Sequence, residues 1–289
     1  MITPIRKSAE LLAKNLFRLQ YVSDIHLEIN QIINYESIVK PIAPYLALVG
    51  DIGHIKHSSY KPFFDYVSNE FEKVFYVPGN HEYYTDKPTK ENIQSNKFQT
   101  MYQLNHQMKL LCDSYKNIHY MYRDSYKFDD YNVGIIGTPL WTPYFSSKNI
   151  HISQNDTMCQ QFANYLHQLD ITHIDDKCRK YKNTNTKTIV LTHFLPSFSL
   201  IPEKYKNYPN KQNFASNSDF LFKYPINAWI NGHSHQAGFQ TINKTSCRIN
   251  PYGYKSQIGN NGFSNQMFVE FKLATNEEED KPLFLYKLS

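Results

Sequence analysis

The chain has 289 residues, 41% of them hydrophobic and 20% charged. That composition excludes an intrinsically disordered chain and is sufficient for one large domain or two small ones around a sizeable apolar core. The net charge of +5 is scattered rather than gathered in one block, so nucleic acid is an allowed partner but not an implied one.

Residues 1–17 are basic and faintly amphipathic, with Arg6, Lys7 and Lys14 interrupting any signal-peptide core, and are read as an N-terminal extension. No run of apolar residues is long enough to span a bilayer, so no membrane association is expected. Cys112, Cys159, Cys178 and Cys247 are widely spaced and form no C-x-x-C pair. Reduced thiols and a cytoplasmic or nuclear location follow as the expectation.

The first strand is predicted at "RLQYVS", the second at "YLALVG" and the third at "KVFYVP", with a helix over residues 60–71 between the last two. These runs are rich in β-branched and aromatic residues, and several are apolar nearly throughout, as in strands covered on both faces. Residues 96–116 carry Phe98, Met101, Met108, Leu111 and Cys112 on one helical stripe, and residues 154–170 do the same with Met158, Phe162, Leu166 and Leu169. Strands follow at "KTIVLT" and "NAWING". The alternation predicts an α/β chain with mostly parallel pairing in its first half. From Phe239 onward, "FQTIN", "SCRIN", "MFVEFKL" and "PLFLYKL" predict a second, more antiparallel sheet, with "NEEED" as a solvated turn before the last of them. Two long irregular stretches, 143–156 and 203–219, are candidates for the walls of a site.

Polar residues follow the apolar runs at every one of these strand ends. "RLQYVS" leads into Asp24 and His26, "YLALVG" into Asp51, "KVFYVPG" into Asn80, His81 and Glu82, "KTIVLT" into His193, and "NAWING" into His233 and His235. In an open α/β sheet the carboxyl ends of the strands form the binding crevice, so these segments deliver their ligands to one place. On an extended segment, side chains two apart point to the same side, so Asp24 with His26, and His233 with His235, are expected to grip from one direction. Carboxylate, amide oxygen and imidazole without thiolate suit divalent manganese, iron, zinc, cobalt or nickel, and the many nitrogen ligands disfavour calcium. The groups are too many for one tetrahedral ion and suit two ions sharing a carboxylate, with His233 and His235 serving different ions.

At these residues the sequence resembles the calcineurin-like metallophosphoesterase superfamily, whose blocks D-x-H, G-D, G-N-H-[DE], a lone H and G-H-x-H stand here as "SDIHLE", "GDIG", "GNHEYY", "THFLP" and "NGHSH". The resemblance implies a single domain over residues 18–289, with two mixed β-sheets in a sandwich flanked by helices, four layers in all. It implies one metal on Asp24, His26, Asp51 and His235 and another on Asp51, Asn80, His193 and His233, with Asp51 shared. The implied activity is hydrolysis of phosphate mono- or diesters, small molecules or nucleotides, by a hydroxide held between the metals, with His81 as general acid. "GTPLWT" and "INPYGY" look like a branch of small phosphohydrolases. The protein phosphatase branch differs: where it has G-D-x-x-D-R-G, this chain has His54 and Ile55, so the group that orients His81 must come from elsewhere.

Asn80, Tyr83 and Arg248 are candidate substrate contacts, with Tyr84, Trp141, Tyr252 and Tyr254 as further rim aromatics. Glu28 and Glu82 are candidates to orient ligand imidazoles, and His54 and His57 lie close enough in sequence to the shared aspartate to touch substrate. Two alternatives stay open at this point, a nuclease and a non-catalytic scaffold. The oligomeric state is left open as well.

Overall fold

A computed structural model describes residues 16–30, 32 and 34–272. The N-terminal segment before Leu16, the acidic turn at 276–280 and the strand expected at 282–288 lie outside the described residues.

Two sheets dominate. The first contains β1 (Leu16–Val22), β2 (Tyr45–Val49), β3 (Lys73–Val77), β4 (Ile118–Tyr120) and, from the far end of the chain, β13 (Phe268–Lys272). Its order is β13-β1-β2-β3-β4, parallel throughout except that β13 runs antiparallel to β1. The second sheet contains β5 (Asp124–Phe128), β6 (Val133–Gly137), β9 (Lys187–Leu191), β10 (Ile226–Asn231), β11 (Gly238–Ile242) and β12 (Thr245–Ile249). Its order is β11-β12-β10-β9-β6-β5. A small hairpin of β7 (Ser147–His151) and β8 (Thr157–Met158) lies apart from both.

The second sheet corrects the expectation of an antiparallel tail. Its centre, β6-β9-β10-β12, is parallel, and only the edge strands β5 and β11 run the other way. It begins in mid-chain with two strands that the sequence pattern did not mark, and β13 leaves it for the first sheet. Pairing direction is set by where a crossover returns the chain, which local alternation does not encode.

The near-continuous apolar strands are explained by burial on both faces. On β2, Tyr45, Ala47 and Val49 point between the sheets with Ile189, Leu191, Ala228 and Ile230 of β9 and β10. Leu46 and Leu48 point the other way, against Phe63, Phe64 and Val67 of α1 (Tyr60–Glu70) and Leu104 and Met108 of α3 (Met101–Asp113). The outer face of the second sheet buries Val190 and Trp229 against Ile174, Cys178 and Tyr181 of α4 (Gln160–Asn183). The result is the helix/sheet/sheet/helix stack that the resemblance implied.

Two helix boundaries moved for local reasons. α3 begins at Met101 rather than near residue 96 because Thr100 caps it: the Thr100 side chain accepts the Gln103 N–H, and Gln103 reaches back to the Thr100 N–H. A short helix, α2 (Lys90–Gln94), precedes it. α4 begins after β8 and runs on to Asn183, because Ala163, Leu166, Asp170, Ile174, Cys178 and Tyr181 keep one face buried well beyond residue 170. Among the described residues no helix is long and apolar enough to cross a membrane.

Candidate metal centre

β1, β2 and β3 of one sheet and β9 and β10 of the other present their carboxyl ends to the same place. Asp24, His26, Asp51, Asn80, His193 and His235 are buried there, and His233 is partly so. Of three groups whose ligand atoms lie within mutual reach, the third being His26, Glu28 and His81, two contain Asp51: Asp24, His26, Asp51 and His235, and Asp51, His193 and His233.

These side chains converge by a different route from the expected one. Asp24 (φ 53°), His26 (51°), Asp51 (52°), His233 (68°) and His235 (50°) all have left-handed backbone. The segments are therefore tight turns and not extended strand, and the two-residue alternation does not apply. In each turn both partners point inward, but His233 and His235 fall into different groups. Non-glycine residues in this region cost about 1 kcal/mol or more each and persist where surrounding structure holds them. Here the holding bonds are visible. Asp24 N–H donates to Gly50 C=O at 2.9 Å, His26 N–H to Asp51 C=O at 3.0 Å, and His233 N–H to the Asp24 carboxylate at 3.0 Å.

Close approach explains the glycine ahead of Asp51. Gly50 has φ +86°, and a Cβ on it would lie 2.2 Å from His193 Nδ1, so the imidazole packs flat on bare backbone. Gly79 is under the same pressure, since a Cβ there would meet Asp51 Oδ1 at 2.3 Å.

The donor set passes a direct test for cations. His193 Nδ1 donates to Val49 C=O at 3.1 Å, which leaves Nε2 as a lone pair. That lone pair faces Asn80 Oδ1 at 3.1 Å and Asp51 Oδ2 at 3.4 Å. Asn80 spends its amide N–H on the Tyr84 hydroxyl at 2.9 Å, so its oxygen is the inward atom. In the other group, His235 Nδ1 donates to Gln257 Oε1 at 2.8 Å and His26 Nδ1 points to Glu28 Oε1 at 3.4 Å. Their Nε2 atoms face each other at 3.1 Å. Acceptors thus meet acceptors while the ring donors turn outward to fixed partners, the arrangement that orients imidazoles for metal. The cluster could bind metals through these atoms.

On the protein's own charges the centre is strongly polarised. Burial disfavours charge on His193, but Asp51 beside it overrides this and pushes it up to about 9. Burial and the neighbouring His193 push His233 down to about 3. Burial also works against ionised Asp24, yet His235 beside it pulls the carboxyl down to about 2.

His81 stands at the edge of the cluster with its side chain 18% exposed. Its backbone N–H donates to Asp51 Oδ1 at 2.8 Å, and its ring Nδ1 to Glu28 Oε1 at 3.1 Å. Nε2 is left 3.5 Å from the Tyr254 hydroxyl, whose ring packs on His26 and His235. Glu28 therefore supplies the orienting carboxylate that His54 cannot. Burial opposes the charge on His81, but Asp51 and Glu28 override it and raise its pKa to about 9. Burial likewise opposes ionised Glu28, and the bonds from His26 and His81 pull it down to about 2.

Glu82 does something other than the predicted imidazole contact. It is fully buried, and its oxygens accept the backbone N–H groups of Asp51 (3.0 Å), Ile52 (2.7 Å) and Gly79 (2.8 Å). It thereby ties the Asp51 loop to the Asn80 loop. Burial and the Asp51 charge push its pKa up to about 7, against the pull of His193 and of the Ile52 and Gly79 amides. Glu82→Gln places an NH2 against backbone donors, and each unsatisfied group costs about 1–3 kcal/mol. Thermal unfolding should show a lower Tm. An unchanged Tm would show that the amides are satisfied in some other way.

Tyr83 is placed in the core instead of the site. It is fully buried, with its hydroxyl donating to Asn105 Oδ1 at 2.9 Å and its ring against Trp141. Trp141 and Tyr252 are core residues too. The guanidinium of Arg248 on β12 sits beside Ser246 Oγ (2.9 Å) and over the Phe239 ring (5.0 Å). Tyr84 and Tyr254 do reach the centre. Sequence reasoning missed Gln257 and Phe214, whose ring lies 5.2 Å from that of His233. The only signal for them was that the "INPYGY" block and the 203–219 stretch lie near in sequence.

A two-sheet sandwich with an Asp/His/Asn cluster where both sets of strands end defines a metallophosphoesterase-type protein. The profile of the calcineurin-like phosphoesterases matches residues 17–237. The chain belongs to that family. It is 31% identical over 271 residues to the uncharacterized protein L509 of Acanthamoeba polyphaga mimivirus, covering 84% of this chain and 93% of the relative. In fold it is similar to the phosphopantetheinyl hydrolase of Mycobacterium tuberculosis, with TM-score 0.64, 14% identity and coverage of 85% and 92%. A dimetal phosphatase from Danio rerio also matches, with TM-score 0.50, 13% identity and coverage of 90% and 93%.

Proposed function

We propose that this chain hydrolyses phosphate mono- or diesters with the help of two divalent cations. One would be held by Asp24, His26 and His235, the other by Asn80, His193 and His233, and Asp51 would be shared. The observation that carries this is the inward convergence of acceptor atoms whose donors are committed elsewhere. When bound, such cations supply charge neutralisation at the phosphoryl group and a water acidified for attack. Manganese, iron, zinc and nickel all suit the ligand set.

The chain's own residues supply the rest. Asp51 joins the two halves of the site and, through Oδ1, fixes the His81 backbone. His81 holds a proton on Nε2 for the departing oxygen, since Glu28 occupies Nδ1. Cationic charge in the adjacent cluster would lower its pKa from about 9 toward neutrality. Asn80 offers its oxygen to a cation and keeps its amide on Tyr84. The cysteines are all unpaired, which supports an intracellular setting.

Chelation is the first check. Protein stripped with EDTA should have lost hydrolysis of bis(p-nitrophenyl) phosphate and should melt at a lower temperature. Saturating metal at about 100 times Kd returns about 2.7 kcal/mol of stability. Reconstitution with manganese, iron, zinc or nickel should restore turnover at about two ions per chain by elemental analysis. Turnover indifferent to EDTA would refute the proposal.

A further inference from the structure

A cleft runs outward from His81. Its inner part, about 500 Å³, is walled by Glu28, Ile29, His54, Lys56, His57 and Tyr84. Its outer part, about 450 Å³, shares His54, Lys56 and Tyr84 and ends at Lys97, Asp86 and Asn149. Each part is large enough for a small organic group. Asn149 comes from the 143–156 stretch, and Thr85 N–H donating to Asn149 C=O at 3.0 Å fixes that wall.

The position of the cleft decides which half of a substrate it would hold. This step rests on the phosphoesterase reading above. In hydrolysis the water oxygen bonds to phosphorus, the bond from phosphorus to the departing oxygen breaks, and that oxygen takes the His81 proton. The departing group therefore lies on the His81 side, and the cleft begins there.

The chemistry of the walls decides what kind of group departs. His54, Lys56 and His57 come from one short turn after Asp51. Lys56 donates to Asn96 C=O, and an ammonium has further donors to offer. Lys97 lies beyond it. Of the two acids, Glu28 is committed to His26 and His81, and Asp86 lines the part of the cleft that Lys56 and Lys97 also line. Two lysines, Lys56 and Lys97, against the single uncommitted carboxylate of Asp86 leave the cleft net cationic. Ile29, which is 52% exposed, and the ring of Tyr84 give it flat apolar sides.

We propose that the cleft binds a leaving group that carries its own phosphate, so that the preferred substrates are phosphodiesters of the dinucleotide type and not simple monoesters. Lys56 receives the second phosphate, and Ile29 and Tyr84 flank the ring or alkyl portion.

The test compares two deoxydinucleotides, pdApdA and dApdA, which differ only in a 5′-phosphate; cleavage of the P–O3′ bond, which leaves the phosphoryl group on the 3′-side nucleoside, puts that phosphate on the departing half. The manganese-loaded protein should prefer pdApdA by at least about tenfold in kcat/KM, as for one charge-assisted bond to phosphate. In Lys56→Ala that ratio should collapse toward one. Calorimetric titration of chelator-stripped protein with dAMP, the departing half itself, should show binding weakened about tenfold in the same variant, independently of turnover. Lys56→Gln, which keeps length without charge, should behave like the alanine variant. A wild-type ratio near one, or a ratio and dAMP affinity that survive in both variants, overturns the proposal. If bis(p-nitrophenyl) phosphate is still hydrolysed in a metal-dependent way, the phosphoesterase reading stands without it. Absence of turnover on every ester, with metals bound, overturns both.

Discussion

Asp51→Asn should reduce turnover of bis(p-nitrophenyl) phosphate by on the order of a thousandfold. Asp51 is the one side chain common to both ligand groups. The amide is nearly isosteric, so the His81 backbone bond to Oδ1 can survive with an oxygen in that place. What disappears is the negative charge between two cation sites. Metal ions contribute several kcal/mol of transition-state stabilisation, and each 1.36 kcal/mol is tenfold in rate. Elemental analysis should find the metal content reduced from about two ions per chain to one or fewer. In the metal-free variant, NMR titration should also show His193 below the value of about 9 that Asp51 sustains. Full metal content with full turnover would remove Asp51 from its shared role.

His81→Ala should have an effect of a different kind. His81 lies beside the cluster and gives no atom to either of the groups that contain Asp51, so metal content should stay as in the unsubstituted protein. Loss of a general acid costs typically 10²–10⁴-fold, but only where the departing oxygen needs a proton. Alkyl esters should therefore lose the full factor, and nitrophenyl esters, whose leaving group is stable as the anion, much less. Equal losses on both ester types would exclude proton donation by His81. Glu28→Gln separates position from proton supply. Its Oε1 receives the His81 ring at 3.1 Å, and such supporting contacts are worth about 10–100-fold. The same leaving-group pattern should appear in weaker form.

The left-handed turns show how much of the centre depends on long-range contact. A residue such as His235, with φ 50°, is held by a cage that includes Asp24 and Gln257. His and Asp tolerate that conformation better than most residues, but "NGHSH" alone does not impose it. The same is true of His26 and His235, whose Nε2 atoms meet at 3.1 Å across 209 residues of chain.

Several features were fixed by local chemistry and could be read directly from the chain. β-Branched and aromatic runs gave β1, β2, β3, β9 and β10, because burial on both faces requires apolar residues at nearly every position. The polar residues directly after them gave the ligand candidates, because donor atom type is a property of each side chain alone. Other features needed the assembled sandwich. The direction of each strand in the second sheet, the removal of Tyr83 to the core, the tether that Glu82 makes to three backbone amides, and the partners that turn each imidazole inward all depend on which distant segment packs alongside. Hydrophobic alternation repeats every few residues and is written locally. A hydrogen bond from His193 to Val49, 144 residues away, exists only once the two sheets have closed on each other.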